Sequence, residues 1–143
     1  MQKTLRNKVL KDVTRLIKCD FNGETWCSPD GIFATSYPIY DGYRIKKSQY
    51  APEGRPLLHK IISNSAETLA EFEHEKLEHY IDLSSTGTDL TYRINSEYYT
   101  FLKQLHPKAL PYIATNGDKY EPVRLYEVDK YMTLVALIMP IKQ

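Results

Sequence analysis

Glu73, His74, Glu75, Glu78 and His79 crowd seven positions of the chain with side chains that can hold a metal ion or move a proton. A zinc pair on a helix needs two histidines four residues apart on one face. His74 and His79 are five apart, so a helix turns the second away from the first. Glu75 and His79 do share a face, and a solvated acidic helix surface accounts for them equally well. Cys19 and Cys27 are nucleophiles in type, with no histidine beside them in the sequence. The chain has no G-x-S-x-G elbow, no C-x-x-C pair and no glycine-rich phosphate loop. These patterns predict no catalytic residue, no metal and no cofactor, and they point to binding rather than turnover.

The other chemistry-bearing group is cationic. Lys8, Lys11, Arg15 and Lys18 are spaced three, four and three residues apart. On a helix they form one stripe, opposite an apolar face of Leu5, Val9, Val13, Leu16 and Ile17. Residues 1–18 hold six basic side chains against Asp12, a net +5, while the other 125 residues hold 13 basic and 17 acidic ones, a net −4. The overall +1 therefore hides a segregated charge, which points to an anionic ligand or partner. Four cations along a helix can sit on a phosphate backbone without reading sequence. Lys103 and Lys108 add to this charge if the two helices share a side.

The elements that must carry these groups follow from periodicity. Residues 3–18 read as an amphipathic helix closed by Asn22-Gly23. Strands are expected near 24–28, 31–36 and 39–47, with Pro29-Asp30-Gly31 as a tight turn. Residues 48–56 read as a loop and 57–63 as a strand. Asn64 with Glu67 three residues on looks like a helix start, so 64–80 reads as an acidic helix, with a long twisted edge strand as the alternative. A strand at 89–94 leads into a helix at 95–107, capped by Asn95, facing inward with Tyr98, Phe101, Leu102 and Leu105, and ended by Pro107. Strands near 110–115, 122–128 and 132–141 follow, with Asn116-Gly117 as a hairpin turn. The order predicts an α+β fold, two helices packed on one face of a mostly antiparallel sheet, with an inserted acidic helix.

Length and composition fit this. A chain of 143 residues with 42% hydrophobic and 26% charged side chains makes one domain, 1–143, with a core that needs no disulfide. Two cysteines are too few for a disulfide scaffold. No signal peptide is evident, and the longest apolar stretch is far short of the ~20 residues that cross a bilayer. A cytoplasmic location with reduced thiols is expected, and no membrane partner.

Three stretches carry a resemblance. "LTYRINSEYYTFLKQL" and "VALIMPIK" resemble the last domain of the bacterial DNA polymerase III β subunit, the sliding clamp. There a strand leads into an Asn-capped helix, and the chain closes on an apolar run, Met-Pro, an apolar residue and a basic one. Asn95, Tyr98, Leu102 and Leu105 match the helix, and Leu137, Ile138, Met139, Pro140, Ile141 and Lys142 match the ending. "YDGYRI", Tyr40 to Ile45, is similar to the family's Asp-Gly-aromatic-Arg-aliphatic stretch.

The resemblance covers residues 3–47 and 88–142, with 48–87 as a probable insertion. It implies a clamp-like domain that pairs two helices with an antiparallel sheet. It implies a role as a processivity or recruitment platform in replication, phage-borne in keeping with a small free-standing chain. Gly42, Tyr43, Arg44 and Ile45 with Leu137, Ile138, Met139 and Pro140 would form a groove for short peptide motifs of replication proteins. Methionine suits a groove that accepts varied peptides. Lys8, Lys11, Arg15, Lys18, Lys103 and Lys108 would face double-stranded DNA. With one domain per chain, a six-domain ring requires a homo-oligomer of six copies. The alternative is a clamp-fold regulator that binds a replication partner without encircling DNA.

Overall fold

A two-residue turn fixes the first hairpin. Asn22 and Gly23 both hold positive φ, at 50° and 80°. This is the backbone twist that matches two antiparallel strands. β1 (Leu16–Phe21) and β2 (Glu24–Pro29) therefore pair in register from Phe21↔Glu24 to Leu16↔Pro29. A second turn at Asp30 and Gly31, with φ of 55° and 70°, leads to β3 (Phe33–Thr35). The computed structural model describes residues 8–11, 13–39, 50–64, 68–72, 79–84, 91–114, 121–128 and 131–141.

The chain continues through a 3-10 turn (Pro52–Gly54) and α2 (Arg55–Ser63), after a first helix, α1, described over residues 8–10. Then come β4 (Thr68–Leu69), β5 (Glu71–Phe72), β6 (Tyr80–Ser84) and β7 (Thr91–Asn95). α3 (Ser96–Leu105) precedes β8 (Ala109–Ile113), β9 (Val123–Val128) and β10 (Met132–Ile138). The strands form a seven-stranded sheet, β1-β2-β3-β10-β9-β8-β4, and a three-stranded one, β5-β6-β7. All their strand pairings are antiparallel, so the fold is α+β.

Alternation along the central strands separates two cores. Phe33, Ala136 and Ile138 face one side, with Val9 and Leu10 of α1, Phe101 and Leu102 of α3, and Ile81, Leu83, Tyr92 and Ile94 of the small sheet. The neighbouring Ala34 and Leu137 face the other side, against Trp26 and against Leu58 and Ile62 of α2. α1 and α3 thus share a face, as expected, and α2 covers part of the opposite one. The α3 cap is also as expected: the Asn95 side-chain oxygen accepts the N–H groups of Glu97 and Tyr98 at 2.9 and 3.1 Å.

Three segments differ from the sequence expectation. The helix expected over 3–18 does not run through: residues 16–21 are strand. The Asp30 carboxylate accepts the backbone N–H groups of Thr14 and Arg15, the latter at 2.7 Å, and holds the chain in an extended entry to β1. Six cross-strand pairs with β2 then outweigh helix propensity. Residues 57–63 are not a strand. Pro56 sits in the first turn of α2, where its missing N–H is harmless, and Leu58 and Ile62 bury one i,i+4 face.

Of the acidic helix expected over 64–80, residues 68–69, 71–72 and 80 are strand, in β4, β5 and the start of β6, neither helix nor one long edge strand, and 65–67 and 73–78 lie outside the described residues. Thr68 and Leu69 pair with Ile113 and Tyr112 at the edge of the large sheet, while Glu71 and Phe72 pair with Ser84 and Leu83 of the small one. The chain crosses between sheets at Ala70, which is buried and donates its N–H to the Pro111 carbonyl at 3.0 Å. The non-local partners, not local propensity, decide this segment. Of the strand expected at 39–47, Ile39 is a buried turn residue and the remainder lies outside the described residues.

Candidate binding surfaces

Of the six basic residues expected to meet DNA, the four expected to form one helical stripe, Lys8, Lys11, Arg15 and Lys18, do not line up on a helix. Lys8 lies on α1 and pairs with Glu97 of α3, Nζ to Oε1 2.9 Å, with both side chains well exposed. Lys11 is exposed in the turn after α1. Arg15 leaves that face and reaches Glu53 at 3.0 Å. Lys18 is on β1, its Nζ 5.2 Å from the centre of the Tyr50 ring. The Lys103 Nζ turns back along its own helix end, donating to the carbonyls of Pro107 and Ala109. Its burial lowers the ammonium pKa. Lys108 is exposed in the turn that follows. The turn at Lys11, the extended residues 13–15 and the strand at 16–21 together disperse the charge. A residue every three or four positions lines up on a helix and scatters on a strand.

The expected peptide groove divides as well. Gly42, Tyr43, Arg44 and Ile45 lie outside the described residues. Leu137 and Ile138 are 2% and 0% exposed. They occupy a strand with neighbours on both sides, β3 and β9, so they are core rather than groove wall. Met139 and Pro140, just beyond the strand, are half-buried. The Met139 N–H donates to the Ile32 carbonyl at 2.9 Å, and the Ile141 N–H to Arg93 at 2.6 Å. The terminal segment therefore steps from the large sheet to β7 of the small one. Beside it the Arg93 guanidinium pairs with Asp82 at 2.9 Å and lies over the Tyr80 ring.

Neither cysteine has the surroundings of a nucleophile. Cys27 is fully buried and its pKa is pushed up to about 12 by desolvation. Burial also raises Cys19, which faces the opposite core. In the acidic segment, Glu73, His74, Glu75 and Glu78 lie outside the described residues, and His79 is exposed beside Tyr80.

The structure also brings together groups that no spacing announces. Thr35 Oγ1 lies 2.8 Å from His106 Nε2, and His106 Nδ1 lies 4.0 Å from Glu127. This hydroxyl–imidazole–carboxylate order is that of a nucleophilic relay. Thr35 is 0% exposed, however, and its oxygen already accepts the Tyr37 N–H at 3.0 Å. The network holds β3 to the end of α3 and offers no surface to a substrate. Burial lowers the His106 pKa to about 4, so the ring is neutral at pH 7.

Arg124 is the second such group, 1% exposed in the middle of β9. Its Nη2 donates to the Ile61 carbonyl in the last turn of α2 at 3.2 Å, and its Nε has no partner. The guanidinium thus meets the negative end of the helix. A third feature is a cavity of about 330 Å³ at that same helix end, floored by Trp26, Ile62 and Tyr126.

No helix among the described residues is long and apolar enough to cross a membrane. No protein-family model, curated protein or solved structure matches the chain.

Proposed function

We propose that this chain is a cytoplasmic, clamp-like recruitment module for replication. Its helix-bearing face lies against double-stranded DNA, and the surface around Met139 and Pro140 takes a short peptide of a replication protein. One observation supports this reading above others: α1 and α3 lie together on one face of an antiparallel sheet, the layout that the sequence resemblance implies. On this reading Lys8 of α1 and the exposed Lys11 and Lys108, in the turns after α1 and α3, supply the phosphate contacts. The Lys8–Glu97 pair is exposed, so exchanging Glu97 for a phosphate is worth at most about 1 kcal/mol either way. Arg15, paired with Glu53, Lys18, carried off on β1, and Lys103, engaged by backbone carbonyls, drop out of the phosphate set.

The test is binding to a 30-base-pair duplex by fluorescence anisotropy across a salt series. Three phosphate contacts predict a slope of log affinity against log salt of about −2.7, and Lys8→Glu with Lys11→Glu should reduce it by roughly two thirds. Absence of binding at low salt, or a slope that ignores both substitutions, overturns the DNA role. The ion pairs of Lys8 and Arg15 favour the second reading, a regulator that captures its partner without encircling DNA. On that reading, Met139→Asp abolishes partner capture while duplex affinity stays negligible throughout.

A further inference from the structure

The large sheet is split. β3 is three residues long and ends at Thr35, which pairs with Cys27 on one side and Ala136 on the other. The chain then leaves the sheet plane, since Tyr37 packs edge-on against His106 and Ile39 joins the core under α1 and α3. Beyond Thr35, Glu24–Trp26 pairs only with β1, and Met132–Leu134 only with β9, among the described residues. Among the described residues no strand lies between these two edges, which ordinary strand spacing would set roughly 10 Å apart.

A cavity of about 330 Å³ opens at this gap on the α2 side. Its floor is apolar: Trp26 and Tyr126 are 2% and 7% exposed. Ile62, Leu134 and Met132 complete the wall, and Met132 is 52% exposed for so apolar a side chain. Glu24 is the one charged residue among the described lining, and it has no ion-pair partner among the described residues. The carboxyl end of α2, at Ile62 and Ser63, borders the same space, but the Arg124 guanidinium already meets its negative end through the Ile61 carbonyl. Lys60 belongs to that last turn but does not line the cavity.

Strand edges unpaired among the described residues, an apolar floor and the Glu24 carboxylate define the ligand. We infer that the slot takes a short extended peptide with an apolar side chain next to a lysine or arginine, added as a strand between β2 and β10. Main-chain hydrogen bonds to the two edges supply affinity, the apolar side chain fills the floor, and the cation meets Glu24. An acidic neighbour would be repelled by Glu24. The site is separate from Met139 and Pro140 and does not depend on the clamp reading.

The experiment is selection of a random dodecapeptide display library on the immobilised full chain. Selected peptides are then titrated against wild type, Glu24→Lys, Met132→Asp and Met139→Asp. Glu24 and Met132 are exposed, so neither change endangers the fold. Enriched peptides should share an apolar–basic pair and bind Glu24→Lys and Met132→Asp at least tenfold more weakly, with Met139→Asp unchanged. No enrichment, an acidic consensus, or peptides indifferent to both Glu24→Lys and Met132→Asp would overturn the assignment. Peptides lost only on Met139→Asp would support the terminal surface instead and would equally overturn this slot.

Discussion

Lowering the pH from 7.5 to 4.5 asks His106 to accept a proton where there is almost no water, and this should cost the protein much of its stability. The ring is 7% exposed, and burial moves its pKa from the ordinary 6.5 to about 4. Above pH 6.5 the imidazole is neutral in both folded and unfolded chains, so its full contribution is present. Between 6.5 and 4 the unfolded chain takes a proton that the folded one refuses, and stability falls as pH falls. Below 4 both states are protonated and the loss is complete. At 1.36 kcal/mol per tenfold, the displacement is worth about 3 kcal/mol.

Glu127 opposes it, with a carboxylate 4.0 Å from Nδ1, but a partly exposed pair recovers at most about 1 kcal/mol. A net loss of about 2 kcal/mol remains, out of the 5–15 typical of a domain. Urea unfolding at the two pH values, on wild type and His106→Gln, separates this loss from the carboxylates that both proteins share. Wild type should lose about 2 kcal/mol more than the variant. Equal losses, or an NMR titration of folded wild type that puts His106 at 6 or above, would refute the reasoning.

Two further substitutions test other buried polar groups. Arg124→Ala leaves both a cavity and an unfilled α2 carbonyl end, and should destabilise by about 3 kcal/mol in urea unfolding. Arg124→Met fills the space and removes the orphaned Nε, so it should cost clearly less; an equal cost would mean that the hydrogen bond to Ile61 dominates. Asn95→Ala removes the acceptor for two N–H groups of α3 and should cost about 1 kcal/mol, with Asn95→Asp restoring most of it.

What could be read ahead in the sequence is what depends on near neighbours. Asn95 before an amphipathic run and the apolar segments near 122–128 and 132–141 stand in the fold, and Asn22-Gly23, read as the breaker that closes a helix, is a break that turns one strand into the next. The failures have one cause. Residues 16–18 continue a helical pattern, yet β2 claims them. Residues 68–72 look helical, yet two different sheets claim them at once. A pairing partner far along the chain leaves no trace in local periodicity. Residues 57–63 read as a strand, whereas Pro56 and the Leu58–Ile62 spacing are the local signals that fit α2. The candidate sites inherit these limits. A basic stripe exists only if residues 8–18 are helical throughout, and Thr35, His106 and Glu127 meet only because β3, the end of α3 and β9 converge.

The apolar C-terminal run follows the same logic. Its strand, β10, occupies the centre of the sheet, between β3 and β9. The run supplies both cores at once, Ala136 and Ile138 to one and Leu137 to the other. Removing the side chains of Leu137 and Ile138 alone would cost about 4–10 kcal/mol, at 2–5 for each large aliphatic residue. That is comparable to the whole stability of a domain, before the loss of two strand ladders is counted. A chain ending at Tyr131 should therefore fail to fold, whereas Leu137→Ala should fold with a loss of about 3 kcal/mol. Met139→Ala, outside the strand and half-buried, should stay within about 1 kcal/mol of wild type. A truncated chain with a cooperative urea transition and a dispersed NMR spectrum would show that β10 is an accessory strand, and its apolar residues would then have to serve a surface after all.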